Sequence, residues 1–391
     1  MDLIIRNANV KGEIVDIAIE GDKIKSLEKG IDTRAKKEID AGKKLAIAGF
    51  IDCHLHLDKS LLNERAPYQD LSGPEKGALT REEKGKFTME DIKERAERVI
   101  LQGIKSGNLA IRTNVDVDPI VGLKGIKALL ELKEEYKNIL DIQVVAFSQE
   151  GFSNYPETHQ LLEEAMEAGA DLLGGHTIVD GKDGDKHIDK ILEIARKYDV
   201  EADFHLDESG NREHYLLPYL AEKMEEMGMK GKVNGIHCCT LSALEEEEKK
   251  RALDLIVESG LKVTIAPTAI STRSLAPVKD LLEIGTLVGL GSDNVRDFFN
   301  PLGNGDIKAV ALLLSYIHRF FTKEEVQDIW QMITDKGARL LGYSDYGIKV
   351  GGPADVILLN ANSPEQVIAN QSQPTTIIRA GVDLTTRFLD K

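Results

Sequence analysis

Two histidines placed two residues apart, His54 and His56, are the strongest chemical signal in this sequence of 391 residues. In an extended strand the side chains of residues i and i+2 leave on the same face, so both imidazoles should point the same way. Two neutral imidazoles on one face supply half of a typical metal site. Such a pair can also be a chance surface feature. However, residues 46–51 look like a buried strand, and burying unpartnered polar rings costs about 1–3 kcal/mol each. These rings should therefore have partners.

The elements that must position the histidines recur along the middle of the chain. The predicted strands, which are apolar and rich in β-formers, are 46–57, 109–117, 141–147, 171–175, 201–206, 232–238, 262–266 and 286–291. Between them, helical spacing of apolar residues predicts helices over 89–106, 122–136, 159–168, 188–198, 213–227 and 242–259. Strands that alternate with helices in this way over about 250 residues predict the α/β class and a (β/α)8 TIM barrel.

Both ends of the chain have a different pattern, in which short strands are broken by turn residues. The predicted strands there are 3–10, 14–19 and 23–27 near the start, and 354–359 and 376–381 near the end. We therefore predict a small β-sandwich domain formed from residues 1–48 and 346–391. The TIM barrel is then inserted between these two segments as residues 49–345.

The barrel hypothesis places functional residues at the carboxyl ends of the strands. The polar residues at predicted strand ends are His54, His56, Gln149, His205, Glu208, His237 and Asp293. Each one alone is explained more simply as a hydrogen-bonded group, but together they predict one functional rim. A mixed nitrogen and oxygen ligand set for one divalent ion, Zn²⁺ or Fe²⁺, is offered by His54, His56, His205 and Asp293. The fourth strand ends in Gly174-Gly175-His176 and offers no lysine to bridge two ions, which favours a mononuclear centre.

Composition narrows the class of partner. The chain is 42% hydrophobic and 30% charged with a formal net charge of −16, and a nucleic-acid-binding protein would normally show a basic face. No apolar run approaches the roughly 20 residues that span a bilayer, and no secretory signal is visible at the start. Three cysteines form no disulfide framework. We expect a cytoplasmic enzyme with a small-molecule substrate and neither a nucleic-acid nor a membrane partner.

Four motifs give the chain a family resemblance over essentially its whole length. They are GFIDCHLHLDKS at 49–60, VVAFSQEG at 144–151, FHLDE at 204–208 and GSDN at 291–294. With them the chain resembles the amidohydrolase superfamily, and within it the cytosine deaminase-like branch. Residues 2–8 and 293–306 also look like the N-isopropylammelide amidohydrolases of triazine breakdown. Members of the family often associate, so the resemblance is compatible with a homo-oligomer.

The resemblance implies a role for each rim residue. The metal ligands of the family match His54, His56, His205 and Asp293, and the metal-bound water is the nucleophile. Glu208 matches the acid/base that carries a proton from this water to a ring nitrogen. His237 would hydrogen-bond the attacking water, whose proton Asp293 could accept. Gln149 would meet the carbonyl and ring N–H of a flat heterocycle. The implied reaction is the hydrolytic deamination of a cytosine-like ring with release of ammonia.

Departures from the family pattern leave the substrate open. Asn294 stands where cytosine deaminases carry a second aspartate that meets the substrate, and Asn114 stands where relatives commonly have histidine. Glu208 favours deamination, because the triazine-dealkylating branch lacks a glutamate at the equivalent place. The alternatives are an N-alkyl aminotriazine amidohydrolase that releases an alkylamine, and a catalytically silent scaffold. Lys59 is expected to pair with Asp58, and His176 to face the pocket or to cap the rim.

Overall fold

Residues 1–66, 71–269 and 274–389 are described by a computed structural model of the chain. The middle of the chain forms one sheet of eight parallel strands, ordered β13-β12-β11-β10-β9-β8-β7-β6. These strands are β6 (Phe50–Leu55), β7 (Asn108–Asp116), β8 (Asp141–Ser148), β9 (Leu172–His176), β10 (Ala202–Leu206), β11 (Val233–His237), β12 (Lys262–Ile265) and β13 (Val288–Leu290). The sheet curls into a nearly closed barrel, so the predicted (β/α)8 fold is confirmed.

The barrel closes between its last and first strands. An isolated parallel bridge joins Leu55 to Asp293. The amide of Asp293 donates to the carbonyl of His54 over 2.9 Å, and the amide of His56 donates to the carbonyl of Asp293 over 3.4 Å. Three of the predicted metal ligands therefore meet along the closing seam of the barrel.

Helices surround the barrel and continue into the terminal segment. They are α1 (Gly73–Lys84), α2 (Met89–Ser106), α3 (Lys124–Tyr136), α4 (Thr158–Glu167), α5 (Gly184–Tyr198), α6 (Leu217–Glu226), α7 (Glu246–Ser259), α8 (Val278–Glu283), α9 (Ile307–Ile317), α10 (Lys323–Met332), α11 (Asp335–Leu340), α12 (Pro364–Asn370) and α13 (Thr385–Phe388). Short 3₁₀ helices are Leu62–Glu64, Thr177–Asp183, Arg212–His214, Cys239–Ala243 and Pro267–Ala269. Within the described ranges, none of these helices is both long and apolar enough to cross a membrane.

Helix α2 shows how closely local sequence sets an element. Thr88 caps its first turn by accepting the amide of Asp91, and Gly107 ends the helix at a φ of 98°. Between these residues, buried side chains such as Ile92, Ala96 and Ile100 recur at helical spacing and face the barrel. The predicted helix over 89–106 is thereby confirmed.

The two ends of the chain build a separate mixed sheet. Its strands are β1 (Leu3–Val10), β2 (Glu13–Glu20), β3 (Lys23–Glu28), β4 (Lys37–Asp40), β5 (Leu45–Ile47), β14 (Val356–Leu359), β15 (Pro374–Arg379) and β16 (Val382–Asp383). The order is β16-β15-β14-β5-β1-β2-β3, with β4 beside β1. The small β domain from both termini is thus present, while its boundaries at residues 48 and 346 stay a prediction.

The predicted strand over 46–57 is wrong in one respect, because two strands occupy it. β5 pairs with β1 and β14 of the terminal sheet, whereas β6 begins the barrel at Phe50. The chain turns between them at Gly49, which has a φ of 100° and approaches Leu109 so closely that a Cβ would lie 2.6 Å from its side chain. The apolar run is continuous across this turn, so hydrophobicity alone predicts one strand.

Candidate metal centre

The predicted metal ligands converge at the carboxyl end of the barrel. The side chains of His54, His56 and His205 each offer a nitrogen within 4.8 Å of the others, and their rings lie 4.8–5.3 Å apart between centroids. Asp293 Oδ1 lies 3.3 Å from His54 Nε2 and 3.4 Å from His56 Nε2. Two ligands held 2.0–2.1 Å from a tetrahedral ion lie roughly 3.4 Å apart. The spacing therefore fits donors gathered around one small cation.

The contacts of His56 indicate whether a cation fits between its ring and Asp293. Its Nδ1 lies 3.2 Å from the carbonyl oxygen of Asn114, which can only accept, so Nδ1 carries the proton. Burial is the first cause that lowers the pKa of His56, to about 3, so the ring is neutral and Nε2 is a bare lone pair. That lone pair faces the Asp293 carboxylate. Two acceptors 3.4 Å apart repel each other unless a cation lies between them, so the donor set fits a metal ion.

Other buried nitrogens and the local charges point the same way. His54 Nε2 and His205 Nε2 have no hydrogen-bond partner in the part of the chain that the structure describes. Burial tends to lower the pKa of His54, but the nearby carboxylates, Asp293 first, raise it overall. Burial tends to raise the pKa of Asp293, yet His54 and His56 hold it well below its usual range. The cluster therefore combines an ionised carboxylate with buried imidazole nitrogens, which are the ligand types of a metal site.

Backbone strain is concentrated at the same rim. Asp207, His237 and Asp293 have φ values of 51°, 74° and 59°, in the left-handed region that non-glycine residues seldom occupy. Such conformations cost about 1–3 kcal/mol each and persist where the surroundings enforce them. Asp207 accepts the amides of Leu216 and Leu217, which holds the turn after β10. The three conformations lie at or just after the ends of β10, β11 and β13.

Glu208 follows Asp207 and faces three histidines. Its Oε2 lies 2.9 Å from His176 Nε2, 3.3 Å from His205 Nδ1 and 3.9 Å from His237 Nε2. Burial tends to raise the pKa of Glu208, but His237 and then His176 outweigh it and hold this pKa well below its ordinary value. Glu208 is therefore an ionised carboxylate beside the ligand cluster, and it is able to accept a proton at neutral pH.

Three amide side chains flank the cluster. Gln149 accepts from Lys59 Nζ over 3.2 Å and donates to His176 Nδ1 over 2.9 Å. Asn294 donates to the Asp297 carboxylate. Asn114 is buried behind His56, and neither atom of its side-chain amide has a hydrogen-bond partner among the described residues. Each of the rim residues predicted from the sequence thus lies at or next to the cluster, and His176 joins them.

Lys59 pairs with a different aspartate from the one expected. Its ammonium lies 2.6 Å from Asp116 Oδ1, while Asp58 accepts the amide of Asp116 over 3.0 Å. Lys84 of α1 contacts Asp116 at 3.1 Å, and it also contacts Asp118 and Glu150, both at 2.7 Å. The expected Lys59–Asp58 pair is therefore wrong, because the lysine reaches across to β7. This network was not predicted, because its members are far apart in sequence.

A second buried cluster, which contains one histidine, lies beside β8 and β9. His187 Nε2 is 2.8 Å from the Ser148 hydroxyl, and its Nδ1 is 2.7 Å from Asp180 Oδ2. Asp180 also accepts the amides of Phe152 and Ser153. The order serine, histidine, aspartate is that of a nucleophile triad. Here, however, both ring nitrogens of His187 are satisfied within the cluster, and we interpret the cluster as structural.

Comparison with known proteins identifies relatives along the whole chain. A sequence model of the amidohydrolase family matches residues 89–385. The N-isopropylammelide isopropyl amidohydrolase of Pseudomonas sp. (strain ADP) is 38% identical over 393 residues, which covers 97% of this chain and 96% of that protein.

Two solved structures share the fold over nearly their full length. One is N-isopropylammelide isopropylaminohydrolase from Burkholderia multivorans ATCC 17616, with a TM-score of 0.90, 28% identity and 98% of both chains covered. The other is 5-methylcytosine deaminase from Klebsiella pneumoniae liganded with 5-fluorocytosine. Its TM-score is 0.89 at 27% identity, with 97% of this chain and 96% of that chain covered. The chain is similar to enzymes with two different kinds of substrate.

Proposed function

The chain belongs to the amidohydrolase family, and from this premise we propose that it is a metal-dependent aminohydrolase of a cytosine-like nitrogen heterocycle. In the proposed reaction, water adds to an amidine carbon of the ring, the bond from this carbon to its amino nitrogen breaks, and ammonia leaves. The similarity to a 5-methylcytosine deaminase over nearly the whole chain supports this choice of ring.

The observation that carries the proposal is the position of Glu208. Its carboxylate lies within 3.3 Å of His205, one of the proposed metal ligands, and is ionised. Adding water to a ring amidine requires a base for the proton of the water and an acid for the ring nitrogen. Glu208 can do both in turn at one place. A silent scaffold would have no use for a low-pKa carboxylate beside a strained ligand cluster.

We propose His54, His56, His205 and Asp293 as the ligands of one divalent ion, Zn²⁺ or Fe²⁺. When bound, such an ion would lower the pKa of a water toward about 7 and so supply hydroxide at neutral pH. Glu208 then holds the proton taken from the water and delivers it to the ring nitrogen, which weakens the bond to the amino group. His237 orients the attacking water, and Asp293 is placed to accept its second proton. This proton passes to the amino nitrogen as the carbonyl forms, so that the group leaves as ammonia.

The amide side chains of the rim are proposed to hold the ring. Gln149 uses one acceptor site for Lys59 and one N–H for His176, and an amide has a second of each. That remaining pair matches a ring carbonyl beside a ring N–H. Asn294 presents an uncharged amide next to the ligand Asp293, where it would contact the substituent of the ring.

A second candidate is supported by sequence identity. The relative that is 38% identical is an N-isopropylammelide isopropyl amidohydrolase. In the corresponding reaction an alkylamine leaves the substrate in place of ammonia. Water adds to a ring carbon in both reactions, so the reactions differ in the substituent on the leaving nitrogen. Glu208 favours the deaminase.

A panel of rings separates the two candidates. Purified enzyme with added Zn²⁺ or Fe²⁺ is incubated with cytosine, isocytosine, creatinine-like rings, ammelide and N-isopropylammelide, and both ammonia and alkylamine are measured. The proposal predicts ammonia from at least one aminated ring. Alkylamine release without ammonia would contradict it and select the second candidate, and no product from any ring would reject both.

A further inference from the structure

His176 makes contacts at both ring nitrogens that give it one fixed orientation and one fixed proton. It ends β9 and its side chain is 15% exposed, the same value as that of Glu208. One ring nitrogen meets Gln149 and the other meets Glu208. Which nitrogen carries the proton follows from the groups beyond Gln149.

The first link is Lys59, an ammonium that can only donate. It is 2% exposed and is held 2.6 Å from Asp116, whose other carboxylate oxygen meets Lys84. Lys59 lies 3.2 Å from Gln149, and only the oxygen of the amide can accept from it. The amide of Gln149 is therefore oriented with its oxygen toward Lys59 and its NH₂ toward His176.

The second link fixes the tautomer. The NH₂ group of Gln149 can only donate, and it lies 2.9 Å from His176 Nδ1, so Nδ1 must be the unprotonated nitrogen. The proton of a neutral imidazole is then on Nε2. That N–H lies 2.9 Å from Glu208 Oε2, where the opposite tautomer would place a lone pair against a carboxylate. Lys59 and Gln149 thus place the proton of His176 on the nitrogen that lies next to Glu208.

From this geometry we propose that His176 is a positioning residue whose Nε2–H, fixed by Lys59 and Gln149, holds the carboxylate of Glu208 for proton transfer. His205 Nδ1 also faces Oε2, at 3.3 Å. This inference rests on the proposed function only for the role of Glu208, since the tautomer itself does not depend on the reaction.

The tautomer is tested without substrate. In Zn²⁺-loaded enzyme labelled with ¹⁵N-histidine, two-bond ¹H–¹⁵N correlations distinguish a protonated from an unprotonated ring nitrogen. The His176 signals are assigned by their loss in His176→Phe. The expected result is a protonated Nε2 and an unprotonated Nδ1, and loss of this single pattern in Gln149→Leu. An Nδ1–H tautomer, an imidazolium, or an unchanged pattern in Gln149→Leu would overturn the relay.

Kinetics test the positioning role on whichever ring the enzyme converts. Removing a partner that orients an active group typically costs about 10–100-fold in activity. We therefore expect the kcat of His176→Phe to fall by this factor, while its KM and its metal content stay almost unchanged. His176→Gln keeps an N–H for Glu208 and an oxygen for Gln149, so it should recover most of the loss. The matched control is His159→Phe on α4, which should retain kcat. A rise in KM with kcat unchanged would contradict the role. A kcat of His176→Gln no higher than that of His176→Phe would also contradict it.

Failure of the proposed function and failure of the positioning role of His176 give different results. If no ring in the panel is converted, the proposed function fails while the NMR measurement still decides the tautomer. If a ring is converted and His176→Phe retains kcat, the proposed function stands and the positioning role is wrong.

Discussion

Two clusters that contain buried histidines differ in how the histidine nitrogens are satisfied. In the structural cluster, both nitrogens of His187 have partners, at 2.7 and 2.8 Å. In the ligand cluster, His54 Nε2 and His205 Nε2 lack a hydrogen-bond partner within residues 1–66, 71–269 and 274–389. Both His54 Nε2 and His56 Nε2 face the carboxylate of Asp293. Burial is similar in both, so burial does not distinguish a site from a core.

The difference shows which histidines have a function still to perform. A buried polar atom without a partner costs about 1–3 kcal/mol, and a fold retains several together when a ligand compensates for them. The structural cluster shows that this chain can satisfy a buried histidine fully. Gly175 leaves room for the ring, because a Cβ at this position would lie 2.1 Å from His187 Nε2. Lone pairs that converge at the rim therefore indicate an ion rather than poor packing.

The largest expected effect separates the two clusters by activity. Glu208→Gln keeps the shape but removes the base beside the ligand cluster, so kcat should fall by about 10²–10⁴-fold, measured by product release. Metal content should be largely retained, because Glu208 is not a proposed ligand. The same assay on Ser148→Ala, in the structural cluster, should show little change in kcat. Activity that survives in Glu208→Gln would show that the acid/base assignment is wrong.

The next effect concerns the buried charges that join α1 to the rim. Lys84 is 0% exposed among three carboxylates, and removing one partner of such a group costs about 3–5 kcal/mol. Lys84→Met should therefore lower the free energy of unfolding by about this amount in urea titrations.

The control for Lys84 lies two residues further along the chain. Lys86 pairs with Glu82 and Glu83 at 2.9 and 2.7 Å, but its side chain is 55% exposed. Lys86→Met should therefore change the free energy of unfolding by less than about 1 kcal/mol. Equal losses in the two variants would mean that the buried network contributes no more than a surface pair.

A smaller effect is expected when the structural cluster loses one hydrogen bond. Ser148→Ala removes the donor to His187 Nε2 and leaves a buried acceptor unsatisfied, so the free energy of unfolding should fall by about 1–3 kcal/mol. Chemical denaturation measures this value. A variant as stable as the wild type would show that the nitrogens of His187 need no partner, and the contrast between the clusters would then lose its meaning.

The smallest effect is a pH dependence of stability. Burial is the first cause that lowers the pKa of His187, although Asp180 opposes it. When pH falls below about 6.5, the unfolded chain takes up a proton on this histidine before the folded protein does, so stability decreases with acidification. In His187→Asn this contribution is absent. The stability advantage of the wild type over the variant should therefore narrow between pH 7 and pH 5, and a constant advantage would contradict the assignment.

Much of the fold could be predicted because local patterns determine it. Apolar runs alternate with helical spacing from residue 46 to residue 291, and each predicted barrel strand is present within a few residues. The turn at Gly49 was missed because no change of hydrophobicity accompanies it. Strand β4 was missed because its residues, Lys37–Asp40, are mostly exposed and polar.

The rim could be predicted only as far as strand ends are visible in sequence. The barrel rule brings His54, His56, His205 and Asp293 to one end, and the structure places them together. The barrel rule does not predict which side chains are in contact. The contacts of Lys59 with Asp116 and of His176 with Gln149 depend on the register between strands far apart in the chain, which no local pattern encodes.

The central claim is that the unsatisfied cluster holds one divalent ion and the satisfied cluster holds none. The most direct test is metal content by inductively coupled plasma mass spectrometry, after dialysis, for the wild type, His54→Ala and His187→Asn. Far-UV circular dichroism checks that each variant keeps its fold. We predict one Zn²⁺ or Fe²⁺ per chain in the wild type and in His187→Asn, and almost none in His54→Ala. A folded His54→Ala protein that keeps its ion would contradict the account.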